Sequence, residues 1–133
     1  MVPPVQDRIS EKETSMKAIE KMGAQGDVLF RRVASVPKGA VRVKRKGPLV
    51  IAFSETHHHH TVDDAKVTQF DVPGDPLVCY LQLGDSGIGG ADVVHQRAWD
   101  THETLRLLGG AGDVWEVRRQ REWTPEGWRR VQD

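Results

Sequence analysis

The chain has one cysteine, one tyrosine, no excess of either charge and no apolar run long enough to span a membrane. A lone cysteine, Cys79, excludes an intramolecular disulfide and fits a reducing compartment. It sits in the apolar run Leu77-Val78-Cys79-Tyr80-Leu81, where a buried, inert thiol is expected. Lys plus Arg and Asp plus Glu both number 19, so no global field draws the chain to nucleic acid or to an anionic membrane. No secretory apolar region follows Met1. The expectation is a cytoplasmic protein with neither membrane nor nucleic acid as partner. The glycines of Gly84–Gly90 (GDSGIGG) form a loop and not a phosphate cradle, because no Lys-Ser/Thr pair and no helical pattern accompany them.

What is present is a pattern of short strands. At 133 residues the chain fits one compact domain with a real core. Residues 1–24 read as a polar arm followed by a short helix, and 25–133 as a single β-domain. The helix expectation, over 10–22, rests on two signals. Ser10 and Glu13 have capping-box spacing, and Met16, Ile19 and Met22 recur every third residue before Gly23. From Gly26 onward, runs such as VLFRRV, LVIAF, KVTQFDV, LVCYLQL and DVWEVRRQREW alternate with Gly, Pro and Asp. They are mostly too short for helices and rich in β-branched residues, so the class is mainly β, a barrel or sandwich. Thr124-Pro125-Glu126-Gly127 has the pattern of a cap starting one short helical turn.

All six histidines fall in two places: His57 to His60 together, then His95 and His102. In a strand, alternate residues share a face, so His58 and His60 form one pair and His57 and His59 the other. Two imidazoles at this spacing can reach one ion, and a third ligand from a neighbouring strand would complete an open site. His95, after Val93-Val94, and His102, before Leu105, lie on segments that could supply it. Val62 has the parity of His58 and His60, which favours that pair facing inward. Glu55 has the parity of the other pair, which favours the opposite choice. Imidazole suits a divalent Zn, Fe, Mn or Ni ion and does not choose among them. Glu55 could act as a general base beside a metal-bound water. Asp63, Asp64 and Glu55 are candidates to orient a ligand imidazole.

These motifs resemble the cupin superfamily, small jelly-roll β-barrels whose first motif carries His-x-His followed by an acidic residue. Here His58-x-His60 is followed by Asp64. The resemblance implies a carboxylate ligand at Asp64 and a later His ligand, at His95 or His102. The chain is more similar still to a group of small uncharacterised bacterial and phage proteins. They share a Gly-Asp-Val opening strand, a Gly-His-x-His segment, a later histidine pair and an ending like YEVRRQREYTP. This sequence has Gly26-Asp27-Val28, His57 to His60, His95 with His102, and WEVRRQREWTP over Trp115 to Pro125. His57 stands where that group has Gly. The later histidines lie seven residues apart here and close together there. This similarity implies His58, His60 and His102 as ligands and carries no activity.

Two functions follow as expectations. One is a small metal-dependent enzyme of cupin type, with His58, His60 and His102 holding a divalent ion, Asp64 or His95 completing the shell, and a small-molecule ligand at an open position. The other is a non-catalytic assembly or interaction module with a structural ion or none, docking as a homodimer or through residues 10–22. The basic stripes at Arg42, Lys44, Arg45 and Lys46 and at Arg118 to Arg130 read as solvated strand faces. Trp115, between Val114 and Val117, reads as core.

Overall fold

The computed structural model describes residues 16–52, 59–95, 102–119, 121–124 and 127–130, with the backbone alone for Ala52, His102 and 121–130. The strands are β1 (Met16–Ile19), β2 (Met22–Gln25), β3 (Val28–Val33), β4 (Val41–Arg42), β5 (Leu49–Ala52), β6 (His60–Val62) and β7 (Thr68–Val72). They continue with β8 (Asp75–Gln82), β9 (Gly90–His95), β10 (His102–Leu108), β11 (Val114–Arg119), β12 (Arg121–Thr124) and β13 (Gly127–Arg130). Two sheets form, in the orders β1-β10-β9-β6-β5 and β2-β3-β11-β8-β7-β4, with β12-β13 as a separate ribbon. All pairings are antiparallel except β1 with β10. Among the described residues the sheets share no strand pairing, so the architecture there is the open two-sheet form of the expected mainly-β class and not a closed barrel.

Strand alternation explains the core. In β3, Val28 and Phe30 are fully buried while Leu29 and Arg31 are exposed. In β11, Trp115 and Val117 face inward and meet Leu81 and Cys79 of β8 in register. Leu105 and Leu107 of β10 and Val93 of β9 supply the facing layer from the first sheet. β8 is buried at four consecutive positions because its other face, with Val78 and Tyr80, joins Val114 in a second apolar cluster. Burial raises the Cys79 thiol well above its ordinary range, and the Asp71 charge pushes the same way. The thiol is therefore protonated and inert, as the sequence led us to expect.

The helix expected over 10–22 is not formed at its described end. Met16–Ile19 and Met22–Gln25 are strands, one beside β10 and the other beside β3. The threefold spacing misled because only Ile19 is buried, whereas Met16 and Met22 are 44% and 66% exposed. Backbone hydrogen bonding at the two open sheet edges outweighs the weak preference of so short a segment for helix. The capping residues Ser10 and Glu13 lie outside the described residues. Residues 16–25 consequently belong to the sandwich, and a boundary at 24/25 would cut the β2–β3 hairpin. Near the other end, Thr124 pairs with Gly127 in the β12–β13 ribbon where a helical turn was expected. Among the described residues no helix is long and apolar enough to cross a membrane.

The outer face of the second sheet has one charged centre. Glu116, 6% exposed, accepts from the Tyr80 hydroxyl at 3.0 Å and pairs with Arg31 at 3.4 Å and Arg118 at 3.5 Å. Burial pushes its carboxyl up, but the Tyr80 hydroxyl and the two guanidiniums outweigh that and hold it below the usual range. A depressed folded-state pKa contributes stability above the unfolded carboxyl value and loses it as pH falls through the folded one. The stability gap between wild type and Glu116→Gln should therefore shrink between about pH 7 and about pH 3 in urea unfolding. A gap that stays constant would contradict this assignment.

Candidate functional site

The inward rows of β6 and β9 end in histidine. Val62 and His60 share one row, and Ala91, Val93 and His95 the other, so the same alternation that fills the core delivers two imidazoles to its edge. His60 and His95 are cross-strand partners, and His95 is in turn the register partner of His102 on β10. Three histidine positions thus form one rung across β6, β9 and β10. The imidazoles of His60 and His95 are 1% and 0% exposed and stack with ring centres 3.9 Å apart and planes 8° from parallel.

The other half of the site comes from the second sheet. β2 and β3 are joined by the two-residue turn Gly26-Asp27, with Gln25 opposite Val28. Gly26 has φ +61°, and a Cβ there would lie 3.4 Å from His60 Cε1 and 3.5 Å from His95 Cε1. Glycine meets both the backbone demand and the close approach to the rings. The turn places Gln25 and Asp27, 4% and 9% exposed, against His60.

Gln25 fixes the chemistry of that histidine. Its Nε2 donates to Val93 O and to Glu103 O, both at 2.9 Å. Carbonyls only accept, so the amide orientation is set, and Oε1 is left facing His60 Nδ1 at 2.8 Å. Nδ1 must therefore carry a proton. The Glu103 carbonyl is available because β10 breaks register between His102 and Leu105. His60 Nε2 lies 3.7 Å from Asp27 Oδ1. That is too long for a hydrogen bond, yet close to the span of about 3.4 to 3.6 Å between two ligands each about 2.1 Å from one ion. An acceptor that holds the remote N–H of an imidazole fixes its tautomer and ring orientation, as it does for histidines that ligate metals.

The donors fit an ion in part. His60 Nε2 and Asp27 Oδ1 do. His95, as stacked, does not share an ion with His60, because one ion cannot lie in two parallel ring planes. Among the described residues no group of three or more His, Cys, Asp or Glu is arranged around one ion position. Of the other residues implicated by sequence, His58 and Glu55 lie outside the described residues, and His102 is fixed only as a backbone position. Asp64 sits in the turn after β6, where its carboxylate accepts from Lys66 N at 2.9 Å. It lines a hollow beside Thr61 and Val94, the outward neighbours of His60 and His95. Gln25 and Asp27 escaped the sequence reading. The Gly26-Asp27 turn was legible, but nothing local marked its flanks as buried partners of histidines on another sheet.

The fold and site define an open β-sandwich whose sheets meet at a buried His–Gln–Asp–His cluster. The chain belongs to the DUF8820 family, a domain of unknown function, whose profile matches residues 24–120. The match covers β3 to β11 whole and the end of β2, and so contains Gln25, Asp27, His60 and His95. No curated protein and no solved structure matches the chain.

Proposed function

We propose that this protein binds one divalent metal ion at His60 and Asp27, and that the ion ties the two sheets together. The observation that carries this reading is the Gln25 contact, which commits the His60 proton to Nδ1 and leaves Nε2 facing the Asp27 carboxylate. Asp27 belongs to the turn of the second sheet and His60 to the first, so a shared ion would act as an inter-sheet clamp. Both side chains are nearly excluded from solvent, which suits a structural ion better than an open catalytic one. His102, on the same rung, and His58, at the parity of His60, are the residues assigned to complete the shell. His95 serves as the wall on which the His60 ring rests. The His58-x-His60 spacing supports a cupin-like manner of presenting ligands from a strand. Zn, Mn, Fe or Ni all suit this mixed nitrogen and oxygen set.

The test is elemental analysis of untagged protein together with thermal unfolding before and after chelation. Wild type should hold close to one ion per chain. An ion present at about 100 times its Kd stabilises the fold by about 2.7 kcal/mol, so chelation should lower the melting point by several degrees. Asp27→Asn, which keeps the shape of the turn residue, should fold, lose the ion and melt independently of chelator. Absence of an ion, with no thermal shift on adding Zn, Mn, Ni or Fe(II), would sink the proposal.

A further inference from the structure

The basic stripe at Arg42 to Lys46 is exposed at Arg42, Lys44 and Lys46, as a solvated face would be, and it also borders a hollow. β4 pairs with β7, Arg42 opposite Phe70, and the pairing is extended by Val43 N donating to Gln69 O at 2.8 Å. Arg45 is then pinned by a hydrogen bond from Nη1 to Val67 O at 3.0 Å. From there the chain crosses to Leu49 at the start of β5, on the other sheet. The crossing encloses a half-open hollow of about 360 Å³.

Its lining is chemically one-sided. Arg42, Lys44 and Arg45 lie on its wall with Thr68, over an apolar floor that includes Leu49 and Val67. Among the described residues no carboxylate lines it. The acidic side chains nearby belong to other places: Asp63, Asp64 and Asp92 line the neighbouring hollow, and Asp71, opposite Val41, accepts from the Gln69 amide. Among the described residues neither Arg42 nor Lys44 takes part in a salt bridge. Three cations gathered within four residues repel one another, and no carboxylate among the described lining residues offsets them locally. A bound anion would.

The geometry points to a binding site here for an organic phosphate monoester, its dianion held by Arg42, Lys44 and Arg45 and its organic body resting on Leu49 and Val67. The guanidinium fork matches phosphate oxygens, and Arg45 spends one of its five donors on Val67 O and keeps the rest. A monoester carries about −1.5 to −2 at neutral pH, which suits three cations better than a carboxylate would. The volume lies at the lower end of small-molecule pockets, of roughly 300 to 1,000 Å³, so a small ester fits and a long polymer would have to run outside it. The site is independent of the proposed metal centre and uses none of its residues.

Phenyl phosphate is the probe, titrated into isotope-labelled full-length protein and followed by amide chemical shifts. Perturbations should cluster at residues 42–49 and 65–69. Arg42→Gln/Lys44→Gln, two exposed changes that leave the melting point in place, should weaken binding by about tenfold or more, as loss of charge-assisted contacts requires. Inorganic phosphate should bind several-fold more weakly than the ester, because it leaves the apolar floor uncovered. Equal affinity in the double variant, or shifts scattered over all basic positions, would overturn the site. Equal affinity for inorganic phosphate would overturn the assignment of the organic body. A short oligothymidylate that outcompetes phenyl phosphate at the same amides would replace the monoester by a nucleic-acid backbone.

Discussion

Gln25→Leu is expected to destabilise the protein by on the order of 3 kcal/mol or more while barely changing side-chain volume. The substitution withdraws a donor from Val93 O and Glu103 O and an acceptor from His60 Nδ1, all at a buried place. Each buried polar group left unsatisfied costs about 1–3 kcal/mol, and with three such groups the transfer gain of the leucine, about 1.5–3 kcal/mol, offsets only part of the sum. Gln25→Glu should also destabilise, for a different reason: its carboxylate would accept from His60 Nδ1 but face two carbonyls with no proton to give. Urea unfolding at neutral pH measures both. A leucine variant within about 0.5 kcal/mol of wild type would show that the amide bridge contributes little, and with it the fixed His60 tautomer would fall.

Trp115→Ala should cost about 3–5 kcal/mol, a large part of the stability of any domain this size. The side chain is fully buried on β11, the strand next to both β3 and β8, and is the largest fully buried one among the described residues. Its indole N–H donates to Leu108 O at 3.2 Å, across to the first sheet. Gln25 reaches β10 at Glu103 and Trp115 reaches it at Leu108, so the two bridges hold the sheets at opposite ends of one strand. Trp115→Phe keeps most of the volume and loses the bridge, and should cost distinctly less than the alanine. The comparison by equilibrium unfolding separates packing from the hydrogen bond. If alanine and phenylalanine are equally harmful, packing is not the main term.

These bridges also mark where sequence reasoning stopped. The runs VLFRRV, KVTQFDV, LVCYLQL and DVVH were recognisable as strands because side-chain alternation is a property of neighbours. The same logic placed Trp115 and Cys79 in the core. It left the face of His60 open, because parity with Val62 points His58 and His60 inward and parity with Glu55 points His57 and His59 inward; the structure buries His60. The segment Met16–Gln25 was misread because its choice between helix and strand depended on edges offered by β10 and β3, elements far along the chain.

The sequence by itself determined the mainly-β class, most strand positions and the inert burial of Cys79, because each follows from a period of two and from apolar content, while the inward face of His60 was settled by the packing of the sheets. Tertiary structure alone decided that the sheets stay open, that His60 stacks on His95, and that Gln25 and Asp27 complete their surroundings. Gln25 finds its carbonyl partners 68 and 78 residues away. Contacts at that distance are set by how two sheets pack and twist against each other, and no local pattern of residues encodes them.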